Sequence, residues 1–300
     1  MPNIALSWQA SAVVAVCCVL VALAAARVAP TDRAALARLL LKRRALTVAS
    51  FGGEVGIILG LYALWQVAGG LSLGHIGEAI TRGRDLWRIE REWHFPNETS
   101  LQNLIIHHPL LVQICNIYYA TMHFGMLMAV LLWLYLRHRD AYRRTRTLIV
   151  LTTSACLFVG MVPVAPPRLV NVGMVDTAAA YHQSVYAVTA QIGADQYSAM
   201  PSVHVAWAGL VAIAVITATR SRWRWLILVH TAATLYVVAA TANHFWLDGV
   251  VALGLLGISL AVQEISRHIY FRYRLFGRRA SETAMPDADV LALRDTSPSR

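Results

Sequence analysis

Seven stretches of this 300-residue chain are apolar over about the length that a helix needs to cross a lipid bilayer. A hydrocarbon core about 30 Å thick takes about 20 helical residues. The stretches fall at 8–27, 46–71, 110–136, 147–165, 203–219, 224–243 and 246–264. Within hydrocarbon a segment has to satisfy its own backbone hydrogen bonds, so each such run is read as a helix. The sequence therefore predicts an all-α fold: a polytopic membrane helical bundle of about seven transmembrane helices. Composition agrees, with 57% hydrophobic and only 14% charged residues, where soluble domains carry about a quarter charged. A water-soluble globule is excluded, and so is disorder for most of the chain. Cys17, Cys18, Cys115 and Cys156 all sit in apolar runs, unlike a disulfide framework or a CxxC metal site.

The net charge of +10 comes from 26 basic against 16 acidic residues. In a soluble protein such an excess points to nucleic acid; in this chain it is first a topology signal. Twenty-one of the 26 basic residues fall in the 27–46 linker, in the linkers after the third and fifth stretches, and in the tail from 265. The other five are Arg82, Arg84, Arg88, Arg91 and Arg168, on the opposite side. Cytoplasmic loops collect Lys and Arg, so the N-terminus is expected outside and the C-terminus in the cytoplasm of an integral, plasma-membrane protein. The first stretch has no basic leader and no convincing cleavage site, and is expected to be retained. This divides the chain into an N-terminal helix with a basic linker (1–45), a six-helix catalytic membrane domain (46–264) and a basic, partly disordered tail (265–300). Residues 74–99 mix apolar side chains with charges of both signs, the pattern of a helix lying in the outer headgroup plane.

Ionisable residues near membrane spans are costly and are functional candidates by default. Three polar groups converge on the outer ends of three spans. Arg168 closes Pro163-Val-Ala-Pro-Pro-Arg168, His204 follows Pro201-Ser202-Val203, and His244 and Asp248 lie in Asn243-His-Phe-Trp-Leu-Asp248. Residues four apart share a helix face, so Asp248 is expected to accept from one ring nitrogen of His244 and make the other a nucleophile. His204 is then available as a general acid. The planar fork of Arg168 suits a phosphoryl oxygen, and Ser202 with the first amides of the following helix suits an anion. This set describes a phosphoryl-transfer site without metal or other cofactor, in which positioning and electrostatics carry the catalysis.

These residues also carry a resemblance. The chain resembles the type 2 phosphatidic acid phosphatase superfamily, in particular the branch of inositol phosphorylceramide synthases. The superfamily's motifs are Lys-x6-Arg-Pro, Pro-Ser-Gly-His and Ser-Arg-x5-His-x3-Asp. Their counterparts are Pro166-Pro167-Arg168, Pro201-Ser202-Val203-His204 and His244-x3-Asp248. The resemblance covers most of 46–264. It implies a six-helix core, His244 as the nucleophile that becomes phosphorylated, Asp248 as its orienter and His204 as the acid–base partner. Departures are specific: Met161 stands in place of the first motif's lysine, Val237 and Val238 in place of the third motif's Ser-Arg, and Val203 in place of glycine. The missing cations argue against a broad soluble-phosphate phosphatase or a haloperoxidase, and fit the synthase-like branch. Tyr118, Tyr119 and His123, with Glu90 and Glu98, also resemble that branch, and the first three are candidate substrate contacts.

The expected function is thus a membrane lipid-phosphate phosphotransferase or phosphatase acting through phosphohistidine, with inositol-containing lipids as candidate substrates. Its partners are a lipid-phosphate substrate and membrane lipids, with no nucleic acid. Two alternatives stand beside it: a phosphatase releasing phosphate from a phospholipid or polyprenyl phosphate, and a transporter or channel with a His/Asp relay. A relay calls for polar groups and broken helices near the bilayer midplane, whereas these residues cluster at one surface. A metal site of His204, His244 and Asp248 is chemically admissible, but Arg168 beside it would repel the cation.

Overall fold

The computed structural model describes residues 8–27, 75–184 and 196–283, with positions 52, 53, 56, 59–63 and 67 between the first two. Glu54, most of the expected 46–71 span, the linker before it, residues 185–195 and the tail from 284 lie outside the described residues. The described chain is helical, with one isolated parallel bridge between Val164 and Ser198. In order, the helices are α1 (Trp8–Arg27), α2 (Ile76–Glu92), α3 (Glu98–Ile106), α4 (Pro109–Arg137), α5 (Arg139–Val159), α6 (Thr177–Ala180), α7 (Val203–Ala218), α8 (Ile227–Ala240) and α9 (Trp246–Thr283). Short 3-10 turns occupy Pro167–Leu169 and Arg222–Leu226. The chain divides into two units, Met1–Leu256 and Gly257–Arg300. The first holds everything described below, and the second takes up the distal part of α9.

Helix boundaries follow local chemistry. Asn97 caps α3 by accepting from the Thr99 amide, and Ser202 caps α7 by accepting from the Val205 amide, each satisfying an orphan donor of the first turn. Pro109 opens α4, where its missing N–H costs nothing. α5 stops at Val159 because Gly160 begins a turn and Pro163, Pro166 and Pro167 follow, none of which continues a helix.

The expectation of seven spans and a six-helix core is corrected here. Among the described residues three helices are long and apolar enough to cross a membrane: Pro109–Arg137, Arg222–Ala240 and Trp246–Tyr273. The overcount arose because an apolar run measures composition, whereas a span requires a continuous apolar helix. The 147–165 run ends six residues past its helix, and that helix begins in the polar stretch from Arg139. The 203–219 run gives a helix of 16 residues, about 24 Å long at 1.5 Å per residue. α1 runs through the whole of 8–27.

α7 sits at the centre of the first unit and packs against α4, α5 and α8. Its buried face is built from small residues, including Ala206, Ala208, Ala212 and Ala214, which let neighbouring backbones come close. The core around it joins Ile105 of α3, Val112, Cys115 and Tyr119 of α4, Cys156 of α5 and Val237 and Val238 of α8. A second apolar cluster of Ala79, Ala165, Val170 and Phe245 locks α2 onto the segment that carries Arg168. Gly83 makes that approach possible, since a Cβ there would fall 2.5 Å from the Ala165 carbonyl oxygen.

Candidate active site

Three loops form the site, and main-chain hydrogen bonds tie them together. Val164 donates to the Tyr197 carbonyl at 2.7 Å and Ala199 to the Val164 carbonyl at 3.0 Å, joining the loop after α5 to the loop before α7. Arg168 N donates to Ala242 O and Ser202 N to Asp248 O, both at 3.1 Å, joining the first of these loops to the α8–α9 connection and the second to the first turn of α9. That connection is tight: α8 ends at Ala240, α9 begins at Trp246, and Ala242 has a positive φ of 58°. The three motifs therefore meet through their backbones before any side chain is considered.

His244 precedes α9 rather than lying within it. Its Nδ1 is 2.8 Å from the Ala199 carbonyl oxygen and 3.4 Å from Asp248 Oδ2. A carbonyl only accepts, so Nδ1 carries the hydrogen and the neutral ring keeps its lone pair on Nε2. Nε2 is buried and has no hydrogen-bond partner among the described residues. Asp248 is fully buried, and its Oδ2 also accepts from the Phe245 amide at 2.9 Å. This is the return half of a capping box, with an acidic third residue reaching back to the cap. The sequence anticipated the His244–Asp248 pairing; the nearer partner of the ring, Ala199, has no side-chain signature.

Arg168 lies on the 3-10 turn, with its side chain only 3% exposed. Its Nη1 donates to Asn243 Oδ1 at 2.6 Å, and its Nε is 3.3 Å from Asp176 Oδ2. Asn243 is held in turn by donating to Thr241 Oγ1 at 2.8 Å. Asp176 is set between two anchored neighbours: Val175 is bound on both sides by Gln102, and Thr177 exchanges hydrogen bonds with Asn116. None of these supports was singled out from sequence, although Asn243, a polar residue beside His244 in an apolar run, carried a usable signal.

His204 stacks on Tyr119, with ring centroids 4.3 Å apart and 17° between planes, and lies 5.6 Å from His244 and 4.1 Å from His123 by centroid. His123 directs Nδ1 at the Tyr119 carbonyl, 3.1 Å away. Arg168, Asn243, His204, His244, Tyr119 and His123 all line one cavity of about 940 Å³. Ser202 is fully buried and caps α7 behind it. Tyr118 turns away, its hydroxyl 2.7 Å from His230 Nδ1 and 3.1 Å from Thr234 Oγ1.

A buried acidic pair supports the first turn of α9 from α2 and α3. Glu90 Oε1 accepts from the Leu247 amide at 2.7 Å, and Glu98 Oε2 accepts from Arg91 Nη2 at 3.0 Å. Two deprotonated carboxylates have no hydrogen to share. Burial foremost, then the Glu98 carboxyl beside it, raises Glu90 from an ordinary 4.5 to about 9, so at neutral pH it donates to Glu98. The folded state holds this proton between pH 4.5 and about 9 while the unfolded chain has lost it. Stability is therefore full below the unfolded value and declines as pH rises through the window, by up to about 1.4 kcal/mol per pH unit. In detergent, the Tm of the protein is expected to fall from pH 6 to 10. Glu90→Gln, whose amide oxygen and NH2 reproduce both contacts, should flatten that slope; an unchanged slope would remove Glu90 as its source.

The sequence model of the PAP2 superfamily matches residues 84–262. The chain belongs to the PAP2 superfamily. It is an enzyme of the type 2 phosphatidic acid phosphatase kind, with lipid-phosphate hydrolase or phosphotransferase chemistry. The matched region of this PAP2 enzyme contains Arg168, His204, His244 and Asp248, and leaves α1 outside. No curated protein and no solved structure matches the chain significantly.

Proposed function

We propose that this PAP2 enzyme acts through a phosphohistidine on His244, and that it belongs to the branch resembling inositol phosphorylceramide synthases. The supporting observation is the 2.8 Å contact from His244 Nδ1 to the Ala199 carbonyl, which leaves the Nε2 lone pair without a partner among the described residues, on a ring that lines the cavity. In the first step Nε2 attacks phosphorus, and the phosphorus–oxygen bond to the leaving group breaks. His204 gives its proton to the departing oxygen. The ring, now substituted on Nε2 and protonated on Nδ1, is positive, and the Asp248 carboxylate 3.4 Å away offsets that charge. Arg168 binds the non-bridging oxygens, and the amides behind Ser202 add their dipole. In the second step His204 takes a proton from water or an alcohol, whose oxygen attacks phosphorus. The phosphorus–nitrogen bond breaks and the lone pair returns to Nε2.

Helix length supports a site at a membrane boundary. α4 has 29 residues, about 43 Å, which exceeds a 30 Å hydrocarbon core. With Arg137 at one boundary, about 20 residues of helix bring the other boundary near Tyr119, at the level of His204 and His244. The distribution of basic residues makes the Arg137 side cytoplasmic, so the site faces outward. Purified protein given phospholipid donors, with and without inositol or glycolipid acceptors, decides the acceptor. An acid-labile, base-stable phosphoryl group on His244 and a new phosphodiester only with the alcohol are the expected results. Release of inorganic phosphate alone would make the enzyme a phosphatase, and turnover restored only by added metal would defeat the phosphohistidine reading.

A further inference from the structure

Gln102 sits midway along α3, a nine-residue helix that supplies none of the three motifs, and it is 1% exposed. A buried amide is costly unless its donors and its acceptor are matched. This one is matched entirely by main chain. Its Nε2 donates to Val175 O at 2.9 Å and to Ala240 O at 3.2 Å, and its Oε1 accepts from Val175 N at 2.8 Å. The Val175 N–H only donates, so the amide has one permitted orientation. Two of the bonds hold Val175 from both sides. The third serves the carbonyl of the last residue of α8, a group that a helix end leaves without an intrahelical partner.

Both anchor points lead to Arg168. Asp176 follows Val175, and Asn243 lies three residues past Ala240. The Arg168 guanidinium is bonded to these two side chains, by Nη1 to Asn243 at 2.6 Å and by Nε to Asp176 at 3.3 Å. The bonds close a ring: Arg168 joins the two stretches through their side chains, and Gln102 joins them through their backbones. We infer that Gln102 is a positioning residue for Arg168, fixing the spacing between Asp176 and Asn243 and so the plane in which the guanidinium meets a phosphoryl group. This rests on the phosphate-binding role of Arg168 in the proposed function and adds what sets its geometry. Gln102 itself lies outside the cavity lining, so it acts only through the ring. Asn116 is a different kind of support, because it bonds Thr177 and Gln183, both on the Asp176 side. Without Gln102, water can serve the main chain of Val175, a residue 47% exposed, but water does not tie it to Ala240.

The test uses the full-length protein in mixed micelles, with phosphatidate as substrate and inorganic phosphate as the competing anion. Gln102→Met keeps the length of the side chain and removes all three bonds. It should lower kcat/KM and weaken phosphate inhibition, each by about tenfold, the scale on which a displaced binding group is felt. In an Arg168→Lys background the same change should cost less than about twofold, because an ammonium has no plane to lose. Gln102→Asn, whose amide is drawn back by one methylene and which disturbs the core less, should repeat this pattern. Ile105→Ala, a core change on the same helix, should lower the Tm and leave phosphate inhibition as in wild type. A merely structural role for Gln102 would instead give equal losses in both backgrounds. That result, or unchanged phosphate inhibition in folded Gln102→Met or Gln102→Asn protein, would overturn the positioning role. Phosphate inhibition that Arg168→Lys itself leaves unchanged would overturn the role of Arg168 in the proposed function.

Discussion

His244→Ala is expected to abolish turnover, with kcat falling by about 10^4 to 10^6, the scale seen when a covalent nucleophile is removed. The argument rests on what else can replace the ring. Nε2 is the atom of His244 directed away from protein partners, while Nδ1 is held by Ala199 and Asp248. His204 is also an imidazole in the same cavity, but it is stacked flat on Tyr119 and hydrogen-bonded to the Tyr119 main chain. It lies 5.6 Å from His244 by ring centroid, so the two rings serve different atoms of the substrate. Alanine keeps the backbone bond from His244 N to Val238 O at 3.1 Å, and the Asp248–Phe245 cap does not involve the ring. The variant should remain folded and membrane-inserted, as checked by size-exclusion in detergent and by Tm. Turnover within tenfold of wild type in a folded His244→Ala protein would end the assignment of the nucleophile.

The convergence of the three motifs was more legible in the sequence than the number of spanning helices. Arg168, His204 and His244 are separated by long apolar runs, yet each stands where a run meets a Pro- or Asn-containing loop. That placement is what brings them to one end of the bundle, and the loop-to-loop backbone bonds complete the convergence. Helix count was less legible because hydropathy does not register where a helix stops. Gly160 and the prolines after it turn the last part of an apolar run into the loop that positions Arg168. Supports that act through the main chain left the weakest trace. The Ala199 carbonyl sets the His244 tautomer through an atom every residue possesses. Glu90 reads as one charge on an amphipathic helix, and only the fold buries it against the Leu247 amide.

Arg168→Lys is expected to lower kcat/KM by about 10^2 to 10^3 without unfolding the protein, because lysine has a point charge where the site uses a planar fork. In wild type two guanidinium nitrogens are committed: Nη1 bonds Asn243 at 2.6 Å and Nε faces Asp176 at 3.3 Å. Those two contacts set the plane in which the group meets the cavity. A lysine ammonium satisfies Asn243, Asp176 or a phosphoryl oxygen, but its single nitrogen does not hold the first two while presenting a fork to the third. Size of the loss is not the only discriminator. Arg168 lines the cavity beside His204 and His244, so its effect should follow the phosphoryl group and not the rest of the substrate. The lysine variant should lose the same factor on a short soluble phosphomonoester as on a long-chain lipid phosphate, since both present the same phosphoryl group. A loss confined to long chains would assign Arg168 to tail binding, and retention of activity within threefold would reduce it to a structural partner of Asp176.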